Sequence, residues 1–237
     1  MQAVILAGGK GTRLEPLTLS IPKALVKINE IPIIEIIIRQ LKAIGTKEIT
    51  IIVNYLKDKI IEFLGDGSKF GVKINYAEQK EMNGDADALS YAEPFISQDK
   101  FIMIACDSLF PTEHLTKLMK DDCDGVMTVS RVEDARRFGV ILNEGEKVTN
   151  IIEKSPNPPS NLANTSIYYL PKEIFSAIRK TEPDKTGEIR IVNAIQKMID
   201  EGKTFKFAVV DGWLDIGTHE QLAEAQALAR KLGLCKQ

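Results

Sequence analysis

The chain has 237 residues, of which 31 are Lys or Arg and 33 Asp or Glu, for a formal net charge of −2; 44% are hydrophobic and 27% charged. This balance is that of a soluble globular protein long enough to bury a substantial core, and it excludes a globally basic nucleic-acid binder. No apolar run is long enough to span a bilayer, and Met1-Gln2 leads directly into an apolar strand without a signal peptide, so a cytoplasmic enzyme with no membrane partner is expected.

Strand and helix signals then alternate along the chain. Residues 3–7 read as a buried strand that runs into Gly8, Gly9 and Gly11. Pro32 opens a helix over 33–44, and Gly45 stands where a left-handed cap ends it. A strand at 48–53, a short helix at 57–64 and a strand at 72–77 follow. The continuous apolar run 101–105 predicts a central strand, followed by a helix at 112–120 and a strand at 125–129. Shorter strands at 140–142, 148–152 and 165–170, separated by a proline-rich turn at 155–160, predict a sheet extension over a ligand cleft. Pro171 opens a further helix, 189–201 forms another, 205–210 is a late strand and 219–232 a closing helix. The alternation predicts an α/β fold with a mixed, largely parallel central sheet. With no repeat, linker or low-complexity tract, residues 1–237 read as one domain. Cys106, Cys123 and Cys235 lack zinc or disulfide spacing and read as reduced structural residues. His114 and His219 read as helix-surface residues.

The richest chemistry lies between residues 6 and 25. Gly8, Gly9 and Gly11 let backbone N–H groups approach an anion, Arg13 adds a planar fork of donors, and Lys23 adds a compact charge. A Walker A loop is excluded because no Gly-Lys-Ser/Thr follows at the required spacing, and a dinucleotide fingerprint is excluded because Leu14 stands where its third glycine belongs. Asp107 follows the run 101–106 at the carboxyl end of a central strand, where open α/β sheets bind ligands. Asp215 stands just before the closing helix. Two carboxylates together with nucleotide phosphates suit a magnesium ion, Mg2+, which takes few protein ligands.

The string from Leu6 to Leu25 resembles the signature L-A-G-G-x-G-T-R-L-x-P-x-T-x-x-x-P-K-x-L of sugar-1-phosphate nucleotidylyltransferases, similar to the glucose-1-phosphate thymidylyl- and uridylyltransferases. The resemblance implies a Rossmann-like, GT-A-like nucleotidyltransferase domain. It implies that Leu6, Ala7, Gly8, Gly9, Gly11 and Thr12 wrap a nucleoside triphosphate, and that Arg13 and Lys23 stabilise charge moving onto pyrophosphate. It also assigns Asp107 and Asp215 to the metal, although Cys106 replaces the family's glycine and narrows the space beside it.

Further segments occur in family order. Gln79 and Gly84 match the residues that meet a pyrimidine in relatives using UTP or dTTP, and a glutamine amide can donate and accept at once, as the imide edge of uracil or thymine requires. Asp85 and Asp87 depart from the pattern here. Glu153 and Lys154 resemble the glutamate and lysine that meet sugar hydroxyls and the sugar's phosphate. Asn164 and Gly139 match residues lining the sugar pocket, with Gly139 leaving room for a hydroxyl near the backbone. Glu188 is carried over from a Gly-Glu segment; Ser166 and Asn193 replace the usual glycine and aspartate. No hexapeptide-repeat tail follows before Gln237, so no C-terminal β-helix is expected.

The expected activity is transfer of a nucleoside monophosphate, from UTP or dTTP, to a hexose 1-phosphate. Two rivals remain: a catalytically silent homologue that binds NDP-sugars, and a nucleotidylyltransferase using GTP or CTP. Homo-oligomerisation is left open.

Overall fold

The computed structural model describes residues 1–120 and 122–235. Its first half contains β1 (Gln2–Leu6), β2 (Lys27–Ile28), β3 (Ile31–Pro32), α1 (Ile33–Ala43), β4 (Glu48–Val53), α2 (Lys57–Leu64), β5 (Lys73–Glu78), α3 (Asp85–Ser90) and β6 (Lys100–Ala105). There follow β7 (Ser108–Leu109), α4 (Glu113–Leu118), β8 (Gly125–Arg131), β9 (Gly139–Glu144), β10 (Lys147–Glu153) and β11 (Leu162–Pro171). The chain continues through α5 (Ile174–Arg179), α6 (Ile191–Asp200), β12 (Phe205–Val209), β13 (Leu214–Asp215) and α7 (His219–Lys231).

Successive strand residues point to opposite faces, and here both faces are apolar. Ala3, Ile5, Ile49, Ile51, Ile102 and Ile104 bury on the face covered by α1, α2, α4 and α7. Val4, Ile52, Phe101 and Met103 bury on the other, against Leu89 of α3, Phe175 of α5 and Ile195 of α6. Phe101 and Phe175 stack with ring centroids 5.5 Å apart. The sheet between these layers has the order β5-β4-β1-β6-β11-β8-β12-β10-β9. It is parallel from β5 through β4 and β1 to β6, and again between β8 and β12; β11 runs antiparallel to both β6 and β8. The chain leaves β1 toward β4 and β5, then returns to place β6 on the other side of β1. That reversal opens a crevice at the carboxyl end of β1, which is where an α/β sheet of this kind takes its ligand.

Local sequence explains the element ends. Pro32 precedes the first turn of α1 with φ −57°, and Gly45 follows the last. Helix α7 starts at a capping box in which Thr218 Oγ1 accepts from Gln221 N–H and the Gln221 side chain reaches back to the Thr218 N–H. The same helix clasps the β2–β3 hairpin: Asn29 N–H and Nδ2 donate to Gln226, and Arg230 Nη1 donates to Asn29 Oδ1 at 2.6 Å.

Most predicted elements lie within three residues of those observed, and 48–53 and 57–64 coincide with β4 and α2. Three expectations change. Pro171 ends β11, paired with Lys100, and α5 begins only at Ile174, because the β11–β6 ladder extends to the proline. The strand expected at 165–170 lies in the middle of the sheet rather than in an extension. Helix α3 has no counterpart among the predicted elements. The predicted domain runs to Gln237, which lies outside the described residues.

His114 is also corrected. Its ring is buried at 1% exposure on α4, with Nε2 3.0 Å from Thr128 Oγ1 and Nδ1 without a partner among the described residues. Desolvation, reinforced by the charge of Lys117, lowers its pKa to about 4. The unfolded chain binds this proton near pH 6.5, so the stability that neutral His114 contributes is lost as pH falls from about 6.5 toward 4. Asp85, whose pKa burial raises to about 6, acts in the opposite direction in the same window. Comparison with His114→Gln isolates the histidine: urea midpoints of the variant should fall less between pH 7 and pH 4.5 than those of the parent.

Candidate active site

The site assembles at the carboxyl ends of the parallel strands. After β1 the loop peels away from the sheet, and the N–H groups of residues 8–13 donate to no group among the described residues. Gly11 turns this loop with φ 67°, and a Cβ there would press on Thr18 and Lys23 at 3.1 Å. Its carbonyl accepts from Thr18 Oγ1 at 2.8 Å and from Leu14 N–H at 2.9 Å. The loop is thus fixed by its carbonyl side while its amides stay open, the arrangement of an anion-binding nest.

Beside it, β6 ends at Ala105, and Cys106 N–H donates to Leu6 carbonyl at 3.0 Å, which ties the start of this turn to the end of β1. Asp107 follows. Its Oδ2 accepts from Lys23 Nζ at 2.8 Å. Strands β7 and β13 pair, and Ile216 N–H donates to Asp107 carbonyl at 2.8 Å, so Asp215 comes from the far end of the chain to stand next to Asp107. Burial and the charge of Asp107 raise the pKa of Asp215, while Lys23, Arg13 and Arg137 act against the rise. Two hard-oxygen donors that repel one another call for a cation between them. No third acidic, histidine or cysteine group joins them among the described residues. A pair of carboxylates completed by nucleotide oxygens and water fits magnesium, whereas it would be a poor cage for calcium or zinc.

Two clefts share Arg13, Ala105 and Asp107. The first is lined by Leu6, Ala7, Gly9, Gly11, Thr12 and Lys23, with buried Cys106 at its wall. The second reaches past Asp215 to Lys154, Asn164 and Ser166. Its aromatic side is Phe138 and Trp213, packed edge to face at 5.7 Å, with Trp213 Nε1 donating to Ser108 Oγ at 3.4 Å. The β9–β10 ladder sets Glu153 opposite Gly139, and Ala163 of β11 pairs with Val140, so Gly139, Glu153 and Asn164 converge. A Cβ on Gly139 would collide with Glu153 Oε2; the space expected to admit a sugar hydroxyl is filled by that carboxylate. Glu153 itself lies 3.8 Å from Lys154 Nζ and 4.0 Å from Arg190 Nη1. Asn164 Nδ2 donates to Tyr168 Oη at 2.6 Å. Ser166 sits at φ 56° in the irregularity of β11, a conformation that costs a residue with a Cβ about 1–2 kcal/mol and accounts for the glycine usual there.

Gln79 and Gly84 form a separate corner beside Gly8. Gln79 Nε2 donates to Asp87 Oδ2 at 2.8 Å and to Gly84 carbonyl at 3.1 Å. Its amide therefore does not offer a donor and an acceptor together, as the sequence suggests; the donor is already committed. Asp85 accepts from Ile191 N–H at 2.9 Å, which ties α3 to the start of α6. Glu188 pairs with Arg190 at 2.8 Å and lines neither cleft. Sequence reasoning missed Arg137 and Arg190. The signal for the first is its place directly before Phe138, and for the second its place within the Gly187–Asn193 segment.

A sequence model of the nucleotidyl transferase family matches residues 2–231. The chain belongs to this family. Among relatives of this nucleotidyltransferase, the UTP–glucose-1-phosphate uridylyltransferase AglF of Haloferax volcanii is 38% identical over 233 residues, covering 95% of each chain. A solved structure from Bacillus anthracis, assigned as a glucose-1-phosphate thymidylyltransferase and holding a sucrose, superposes with a TM-score of 0.87 at 32% identity over 97% of this chain and 95% of that one. The inositol-1-phosphate CTP transferase of T. maritima shares the fold at a TM-score of 0.84 and 22% identity, over 98% and 95%. The fold alone therefore does not set the base.

Gly217 lies against a charged group of the nucleotidyltransferase. The Arg13 guanidinium packs against it, and a Cβ on Gly217 would stand 2.6 Å from Arg13 Nη2 and 2.9 Å from its Cζ. The colliding atoms are the end of a flexible side chain, so Gly217→Ala should keep its thermal midpoint within a degree or two while kcat falls at least tenfold. An unchanged kcat would show that the position of Arg13 does not matter to the reaction.

Proposed function

We propose that this nucleotidyltransferase joins a nucleoside triphosphate, UTP or dTTP, to a hexose 1-phosphate, releasing pyrophosphate and forming an NDP-sugar. The observation that carries the proposal is the run of open amides at residues 8–13, flanked by Arg13 and Lys23 and facing Asp107. Such a loop recognises an oligophosphate through backbone donors and two cations. In this reading Leu6, Ala7, Gly8, Gly9, Gly11 and Thr12 hold the triphosphate, and Gln79 and Gly84 meet the base. Lys154, Asn164 and Glu153, beside Gly139, hold the sugar phosphate in the second cleft.

The reaction forms one P–O bond and breaks another. An oxygen of the sugar phosphate attacks the α-phosphorus in line, the bond to the β-phosphate bridge breaks, and its electron pair leaves on pyrophosphate. No protein nucleophile is needed. The chain's own contribution is positioning and charge stabilisation: Lys154 presents the attacking phosphate, Arg13 sits where the clefts meet, and Lys23 with the loop amides takes up charge on the leaving group. Asp107 and Asp215 would hold a magnesium ion. When bound, the ion supplies Lewis-acid neutralisation of the phosphate oxygens.

A panel of UTP, dTTP, CTP and GTP against several sugar 1-phosphates, read by pyrophosphate release, tests the proposal; no release with any pair would overturn it. Arg13→Ala and Lys23→Ala should each lower kcat about 100- to 1,000-fold at saturating substrates with the fold intact, because their contacts strengthen as charge develops. Asp107→Asn and Asp215→Asn should remove the response to added magnesium, and chelator should silence the parent enzyme. Activity that persists in both Asn variants would mean that the two carboxylates do not hold the ion.

A further inference from the structure

We propose that Asp87 selects the nucleotide base by locking the Gln79 amide with its carbonyl oxygen toward the nucleotide, so that this enzyme accepts a base presenting a ring N–H and rejects cytosine. The inference rests on the reading of Gln79 as the base contact and adds the residue that decides which face of the amide the base meets.

Gln79 follows β5, is buried at 4% exposure, and is immobilised on its backbone side. Its N–H donates to Val53 carbonyl at 3.0 Å, and its carbonyl accepts from Asn54 Nδ2 at 2.6 Å. The side-chain amide has two N–H donors, and both find acceptors: Asp87 Oδ2 at 2.8 Å and Gly84 carbonyl at 3.1 Å. Neither acceptor carries a proton to give. A flipped amide would set Oε1 against a carboxylate and a carbonyl, two repulsive contacts in place of two hydrogen bonds, one of them charge-assisted. The orientation is therefore set by the neighbours rather than by a choice between equivalent fits.

What remains is Oε1. It accepts no hydrogen bond from the described residues and is not sealed from solvent. It lies on the Gly8 side, 3.6 Å from where a Cβ on Gly8 would stand, at the entrance to the phosphate loop. An amide held this way is an acceptor only. Uracil and thymine meet it with N3–H. Cytosine carries a lone pair at N3 and meets it with repulsion, and a site whose buried polar group is left facing the wrong partner discriminates strongly. Asp87 touches Gln79 and not the base, so it is a positioning residue. Its place on the first turn of α3, with Ala86 and Ala88 buried on either side, leaves the carboxylate little freedom to follow Gln79 elsewhere.

The test compares kcat/KM for UTP with that for CTP in the intact enzyme and in Asp87→Asn, Asp87→Ala, Asp87→Glu and Gln79→Ala. The asparagine can donate to Gln79 Oε1, so it permits the flip that aspartate forbids. We expect the UTP/CTP ratio to fall at least tenfold in Asp87→Asn, chiefly through a higher KM for UTP with kcat changed by less than threefold, and Asp87→Ala to move the same way. Asp87→Glu, which restores a group that only accepts, should recover part of the ratio. A merely structural role for Asp87 would lower both nucleotides together and leave the ratio alone. If the parent prefers UTP, Gln79→Ala erases that preference and both neutral Asp87 variants keep it, the locking inference is overturned while the base reading stands. If the parent turns over CTP best, or Gln79→Ala leaves the ratio unchanged, the base reading itself fails and the inference with it. Asp87→Asn is nearly isosteric, and should Asp87→Ala not fold, the Asn and Glu variants still decide between these outcomes.

Discussion

The parallel register between β1 and β6 is the constraint on which this site depends. Leu6 stands opposite Ala105, so the loop that follows one strand and the aspartate that follows the other leave the sheet side by side. Every other contribution is delivered to the same edge. Gln79 leaves β5 there, and β11, running the other way, brings Asn164 and Ser166 to it from its first half. The β9–β10 pair adds its open end with Gly139 and Glu153. A slip of one residue between β1 and β6 would turn either Ile5 or Ile104 away from their shared core face. The hydrophobic core therefore holds the loop after β1 and Asp107 together.

Charge is distributed around that edge so that neither sign is left alone. Burial, together with the charge of Asp107, raises the pKa of Asp215. Lys23 answers Asp107 directly, while Arg13 and Arg137 act on Asp215 from the cleft side. Backbone amides supply further positive potential at fixed positions, which needs no reorganisation to meet negative charge.

The legibility of the sequence followed the range of the interactions. Strand 48–53 and helix 57–64 are bounded by their own residues, and they emerge where local pattern places them. The loop cations and the two aspartates sit in motifs whose order along the chain is informative, although Lys23 and Asp107 are far apart in sequence. What could not be read was partnership. Nothing near residue 165 says that this strand will lie between β6 and β8 rather than at an edge. The buried ring of His114 meets Thr128, a residue of β8 distant from α4 in the local pattern. Pro171 looks like a helix opener until β6 is seen extending beside it. Asp87 appears in sequence as an unexplained charge, and its meaning comes only from the turn that folds it back onto Gln79.

Strand order also carries a consequence for biosynthesis. Strand β12 lies between β8 and β10, yet it is made last of the three. On the ribosome β8 must wait, one edge unpaired, while the whole stretch from Arg131 to Phe205 is added, and an open apolar edge is what invites wrong partners. Asp215 emerges later still, followed by the helix whose clasp on Asn29 returns to the first hairpin. The loop after β1 can form early, but Asp215 and α7 reach the cleft only after β12 is made, and a product that stops before β12 would be a partly built sheet with an exposed edge.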